Sequence, residues 1–301
     1  MQSADWQRAN LAAIERRLAP LRHLPDGVLY DARAGMHHIR IIAQGGQIGL
    51  FFVGASGTLE GPMSRIDPAR PLHLLARYTQ ALLLGLLWRP APRRACVLGF
   101  GGGRVSLVLH HHLPELTIDN VEIDPAFATV APRYFGVAFD TRQILHIADA
   151  RSFLAASTHA YDLIVMDAFR DDTDQLDHLA TTQFYALCSR RLAPGGVLAA
   201  NILKSDPRCA AKARALLAAF PAGSLLDLKF SLVLFGTGPA HLGAQAVARR
   251  AAALQARHGF DFPFAERAAE LRSRRDAPAW LQQQLRTAAP LDDTQAASAA
   301  E

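Results

Sequence analysis

The run Ala95-Cys96-Val97-Leu98 breaks into Gly99-Phe100-Gly101-Gly102-Gly103, and this break constrains the fold more than any other feature of the chain. A short apolar run, a glycine loop and a helical pattern are followed by a second apolar run that closes on Glu122. Glycines let backbone N–H groups and a helix N-terminus come close to a ligand. An acid at the tip of the next strand, roughly twenty residues on, can accept hydrogen bonds from two ribose hydroxyls. The pattern then repeats: Ile144 to Ile147 leads to Asp149, and Tyr161 to Met166 leads to Asp167. Buried parallel strands read as continuous apolar runs, and open α/β sheets bind ligands at the carboxyl ends of their strands. Each acid also has a structural reading, as the cap of the helix that follows it. Capping alone does not account for Gly, Glu, Asp and Asp at the same end of four successive runs.

A nicotinamide site fits poorly. The Gly-x-Gly-x-x-Gly pattern beginning at Gly99 ends on Arg104, whose bulk obstructs the close helix–strand packing that the third glycine permits. Around the glycine loop the chain divides into four stretches. Residues 1–27 hold an amphipathic helix over 5–19. Residues 28–70 read as a small antiparallel β subdomain, with strands over 36–43 and 47–53 joined by Gln44-Gly45-Gly46. Residues 71–275 form the nucleoside-binding α/β domain, entered through an apolar helix over 72–88 and containing helices over 242–257 and 264–275. Residues 276–301 are an extension that frays at its end.

Several function classes are excluded by composition. The longest apolar run near the loop, Ala81 to Trp88, is too short to span a bilayer. Three cysteines without metal-ligand spacing suit a reducing, cytoplasmic setting. The net charge of +5 is spread over scattered arginines rather than a dense stripe, so nucleic acid is not an expected partner. Consecutive helical residues point about 100° apart, so His110-His111-His112 cannot share one ion and reads as a surface helix face; no metal is expected.

The order of these elements resembles the spermidine synthase-like (polyamine aminopropyltransferase-like) group of the class I S-adenosylmethionine-dependent methyltransferase fold. The matching residues are Val97 to Gly103, Val121 to Pro125, Tyr134-Phe135-Gly136, Asp149-Ala150-Arg151, Tyr161 to Phe169, Leu179 to Phe184 and Leu192 to Leu198. The resemblance covers residues 28–236. It implies a doubly wound, mostly parallel, seven-stranded Rossmann-like sheet preceded by the small antiparallel β subdomain. It further implies decarboxylated S-adenosylmethionine or S-adenosylmethionine as co-substrate, a small-molecule amine as acceptor, and compatibility with a homodimer.

Under this resemblance Gly99, Gly101, Gly102 and Gly103 cradle the nucleoside, Glu122 takes the ribose, and Asp149 with the Ala150 N–H takes the adenine. Asp167 becomes the carboxylate that orients the attacking amine and accepts its proton. Tyr78 becomes a pocket wall. The family pattern carries acids where this chain has Arg104 and Arg170, which reverses the charge beside the transferred arm. An arginine there suits the carboxylate of S-adenosylmethionine. Asp171 and its neighbours make five aspartates between Asp167 and Asp177, either a mouth that attracts a cationic amine or a solvated, turn-forming loop. The readings are therefore aminopropyl-type transfer to an amine, methyl transfer on the same scaffold, or a nucleoside-binding relative without catalysis.

Overall fold

Ile14 and Leu18 fall on one face of the first helix, α1 (Ser3–Leu18), and both are fully buried. They share a core with the inward faces of four antiparallel strands: β1 (Gly27–Arg33), β2 (His38–Gln44), β3 (Gln47–Val53) and β4 (Leu59–Ile66). The computed structural model describes residues 3–33, 35–169, 176–239 and 242–297. The small antiparallel sheet is as expected, in the order β1-β2-β3-β4. Flanking strands β1 and β4 were not visible as apolar runs because their burial is slight and irregular.

The expected helix over 72–88 is corrected. Only α2 (Arg77–Leu82) is α-helical, and Leu83–Leu87 tightens into a 3-10 turn. The turn lies so close to the main sheet that a Cβ on Gly85 would stand 2.7 Å from Leu163. Residues Leu74 and Leu75 instead run along a cavity wall.

The α/β unit follows in alternation: β5 (Arg94–Leu98), α3 (Arg104–His112), β6 (Thr117–Glu122), α4 (Phe127–Phe135), β7 (Gln143–Ile147), α5 (Ala150–Ala156) and β8 (Tyr161–Met166). It continues through α6 (Thr182–Arg191), β9 (Leu192–Leu203), α7 (Cys209–Ala219), β10 (Ala222–Asp227), β11 (Ser231–Thr237), α8 (Ala244–His258) and α9 (Phe264–Ala269). The five strands in the order β9-β8-β5-β6-β7 are parallel, and β11 and β10 close one side antiparallel. Parallel pairing brings the carboxyl ends of β5, β6, β7 and β8 to one edge. That is the placement the four motif ends required.

Two further expectations change at the carboxyl end of the chain. The helix over 264–275 stops at Ala269, and β12 (Arg272–Ser273) pairs with Ser224 and Leu225 as a short eighth strand, covering an otherwise open sheet edge. The extension is also packed rather than frayed up to Ala297, forming α10 (Ala279–Thr287) and α11 (Asp293–Ala297), with Leu281, Leu291 and Ala296 buried. Asp293 accepts two hydrogen bonds from Arg151, at 2.8 and 2.6 Å, and one from Thr181, the cap of α6, at 2.6 Å. Replacing Asp293 by Ala is expected to cost about 1–2 kcal/mol, since a bidentate pair with half-exposed partners retains part of its charge-assisted strength. Urea unfolding checks the cost, and limited proteolysis near residue 290 checks whether the segment loosens.

The histidine run is not a surface face. His110, His111 and His112 are 5, 6 and 4 % exposed because α1 covers one side of α3 and residues 258–264 cover another. Asn10 shares a hydrogen bond with His111 at 3.2 Å, and the His112 ring meets Phe260 edge-on at 4.8 Å. Burial pushes His111 down to about 4 and His112 to about 3, so both rings are neutral at pH 7. No metal-ligating cluster exists among the described residues. Nor is any described helix long and apolar enough to cross a membrane.

Candidate active site

Gly99 has φ +84°, and a Cβ there would stand 2.5 Å from the Asp167 carbonyl oxygen, so only glycine lets the end of β5 pass this close to the end of β8. The two strand ends are tied by the Asp167 N–H, which donates to the Leu98 carbonyl at 2.8 Å. Beyond them opens a cavity of about 720 Å³, lined by Gly99, Gly101, Glu122, Asp149, Asp167 and Tyr78 among others. Ala150 and Arg104 also line it. The fold therefore brings residues from Tyr78 to Asp167 to one wall.

Glu122 holds the loop itself. Its Oε2 accepts from the amides of Phe100 and Gly101 at 3.1 and 3.0 Å, and its Oε1 from Ile123 and Asp124 at 2.8 and 3.1 Å. A carboxylate offers about four lone-pair sites, so all are engaged by backbone. The sequence suggested a side chain devoted to ribose; its geometry is that of a strut between the glycine loop and β6. The loop amides are likewise occupied, with Gly102 N–H donating to Ser64 Oγ at 3.0 Å. This contact joins the small sheet to the cavity rim. Asp124 does the same from the other side, its Oδ2 accepting from the Met36 and His37 amides at 3.0 Å each.

At the end of β7, Asp149 caps α5, accepting from the Ser152 amide at 2.8 Å and facing His178 Nε2 at 3.1 Å. Burial alone would raise this carboxyl, but the Ser152 and His178 hydrogen bonds outweigh it and hold Asp149 below the usual range. The structural reading of the acid as a helix cap is thus correct for Asp149, and the same residue faces the cavity.

Asp167 differs from both. Its Oδ1 accepts from Asn201 Nδ2 at 2.9 Å, and the Tyr78 hydroxyl donates to the carboxylate. Burial pushes Asp167 up to about 7 against the pull of these two bonds. Burial and the neighbouring Asp167 charge raise the Tyr78 phenol well above its ordinary value, so it stays a proton donor. A carboxylate poised near neutrality, oriented by two donors and facing a cavity, is equipped to accept a proton. Asn201 was missed in the sequence. Its signal is a lone amide inside the apolar run Val197 to Ile202 of β9, where a buried polar side chain needs a partner.

Arg104 opens α3 and is 5 % exposed, so it is not the solvent-facing first turn that a helix start often provides. Its Nη2 donates to the carbonyls of Pro71 and His73 at 2.5 and 3.3 Å, while Nε and Nη1 have no partner among the described residues. Burial lowers the guanidinium to about 9. Arg170 and Asp171 lie outside the described residues.

Residues 77–205 match the spermine/spermidine synthase domain, an interval that contains Tyr78, the glycine loop, Glu122, Asp149, Asp167 and Asn201. The chain is 36% identical over 132 residues to the polyamine aminopropyltransferase of Vibrio vulnificus, a match covering 43% of this chain and 44% of that protein. It is 28% identical over 229 residues to the polyamine aminopropyltransferase of Chromobacterium violaceum, covering 73% of this chain and 85% of that protein. In fold it is similar to a probable spermidine synthase from Corynebacterium glutamicum, with a TM-score of 0.67 and 20% identity over 90% of this chain and 97% of that one. Human methyltransferase-like protein 13, solved in complex with SAH, is similar at a TM-score of 0.54 and 23% identity, over 75% of this chain and 100% of that one. Residues 77–205 are therefore a spermine/spermidine synthase domain, built on the α/β fold that spermidine synthases share with methyltransferases.

Proposed function

We propose that this protein is a spermidine synthase-like transferase that holds an S-adenosyl nucleoside and delivers its alkyl group to an amine, with Asp167 accepting the proton the amine releases. The observation that carries this reading is Asp167 itself: strand-terminal, raised to about 7, and fixed by Tyr78 and Asn201 on a cavity wall. When bound, an S-adenosyl sulfonium supplies an electrophilic carbon and a neutral thioether leaving group. What supports such a ligand is a cavity lined by the glycine turn, with acids at the ends of β6 and β7 on the same wall. Glu122 is assigned to the ribose, sharing bonds now made to the loop amides, and Asp149 with the Ala150 N–H to the adenine. An amine attacks only when its nitrogen is neutral, so the group that takes its proton must be a carboxylate at working pH.

Aminopropyl-type transfer is the reaction named for the relatives. Methyl transfer is the second reading, favoured by Arg104 at a position where the resembling family carries an acid. The three buried, unpaired cysteines support the proposed cytoplasmic setting.

Calorimetry tests the shared part of both readings. Methylthioadenosine or S-adenosylhomocysteine is expected to bind and NAD is not, and Asp149→Ala is expected to weaken the nucleoside by about 1–3 kcal/mol, the range for a hydrogen bond to a charged group. Micromolar NAD binding with no response to either adenosine thioether overturns the assignment.

A further inference from the structure

Asp149 faces the cavity, but part of what holds it there comes from far along the chain. Its Oδ1 accepts from the Ser152 amide at 2.8 Å and its Oδ2 meets His178 Nε2 at 3.1 Å, one bond on each oxygen. An ionised carboxylate only accepts, so Nε2 carries the proton, and about two of the four lone-pair sites stay open to a ligand. His178 does not itself line the cavity, whereas Leu176 and Leu179 beside it do. The 3-10 turn Asp177–Leu179 that carries His178 is anchored from behind. Asp177 pairs with Arg208 and with the buried Lys212, at 2.8 Å each. The His178 carbonyl accepts from Arg151 Nη1 at 3.2 Å. Both carboxylate oxygens of Asp293 hold Arg151, at 2.8 and 2.6 Å, and Asp293 also takes the Thr181 hydroxyl three residues beyond His178. Next to these contacts the Thr182 amide donates to the Leu291 carbonyl at 2.9 Å. A continuous run of polar contacts, Asp293 to Arg151 to His178 to Asp149, therefore joins α11 to a carboxylate on the cavity wall.

Resting on the nucleoside reading above, we infer that His178 is a positioning residue for Asp149, and that α11, through Asp293 and Arg151, is part of the support of the ligand site. A carboxyl group held by one bond turns about its Cβ–Cγ axis and spreads its lone pairs over many directions. The second bond removes that freedom before a ligand arrives, so the ligand does not bear the ordering cost. The same contact favours the ionised carboxylate against the opposing effect of burial, which keeps Asp149 an acceptor for an N–H donor such as an exocyclic amino group. His178 is 44% exposed at its side chain and Asp293 42%, so neither is required to fill a core.

Two measurements on the full chain test this: calorimetry with methylthioadenosine, and a pH titration of the Asp149 carboxyl carbon followed by NMR. His178→Ala is expected to weaken methylthioadenosine by about three- to tenfold, the order of one hydrogen bond to a charged group, and to move the Asp149 titration upward. His178→Gln keeps an N–H donor and is expected to bring the affinity back to within about twofold of wild type. Asp293→Ala, outside the cavity, is expected to shift both readouts in the same direction as His178→Ala by a smaller factor, about two- to fivefold in affinity. Trp280→Phe removes the contact of α10 with Asp227 at 3.0 Å and is expected to change neither. A His178→Ala protein that binds methylthioadenosine as tightly as wild type overturns the inference and leaves the nucleoside reading standing. So does an Asp293→Ala protein that leaves the Asp149 titration in place, whatever its affinity, because loosened folding alone produces weaker binding. Failure of the wild-type chain to bind methylthioadenosine removes the nucleoside reading and the inference together.

Discussion

Asp167→Asn is expected to lower the rate of alkyl transfer by about 10²- to 10⁴-fold, the usual contribution of a positioned general base, while nucleoside affinity stays within a few-fold. The substitution keeps shape and the Asn201 contact but removes the proton-accepting oxygen. Because the carboxylate must be ionised to act and its pKa is raised to about 7, wild-type kcat/KM is expected to fall tenfold per pH unit below that value and to level off above it. Tyr78 donates to this carboxylate and holds it down. Tyr78→Phe should therefore move the midpoint of the profile upward, a shift that loss of a mere wall contact does not produce. The stability sign is the opposite of a typical paired aspartate. A folded value above the unfolded one means folding favours the protonated acid, so this group's contribution is full below about pH 4 and is lost as pH rises through about 7. Asp167→Asn should accordingly fold at least as stably as wild type at pH 8. Wild-type turnover by this variant would show that Asp167 serves only to fix strand ends.

Glu122→Gln is expected to destabilise the fold by about 1–4 kcal/mol, because a carboxamide can accept only at its oxygen and leaves one buried and one half-buried amide facing an NH₂ group, at about 1–3 kcal/mol for the buried one and less for the other. That is a large part of the 5–15 kcal/mol that typically separates folded from unfolded chains. The amides at stake are those of Phe100 and Gly101 on one side, or Ile123 and Asp124 on the other. Nucleoside binding should weaken in parallel, since the same carboxylate shapes the glycine loop. Urea denaturation followed by fluorescence checks the stability term, and a midpoint indistinguishable from wild type would show that the loop does not depend on this strut.

The identity of both residues was legible in the chain, but the difference between them was not. Sequence periodicity placed Glu122, Asp149 and Asp167 at strand ends, and parallel pairing carried all three to one edge. Which of them is a strut, which a cap and which a carboxyl held near neutrality depends on the neighbours that tertiary packing supplies. Glu122 is saturated by amides from its own loop and from β5's, Asp149 meets Ser152 and His178, and Asp167 meets Tyr78 from α2 and Asn201 from β9.

Local pattern determined what depends on local physics: the apolar runs, the turn at Gly45–Gly46, the glycine break after β5 and hence the doubly wound sheet. It misjudged what depends on who covers whom. His110 to His112 look solvated until α1 and the segment from His258 to Phe264 close over α3, and the last helices look frayed until Asp293 reaches Arg151. The helix expected before the sheet is α-helical only over Arg77–Leu82 and ends in a 3-10 turn that packs so closely on the strands that a Cβ on Gly85 would meet Leu163. Arg104 shows the division most plainly. Its place in the loop is written in the chain, but only the folded protein buries its guanidinium and leaves two of its nitrogens without a partner among the described residues, because burial and pairing are properties of the space around a side chain rather than of its neighbours in sequence.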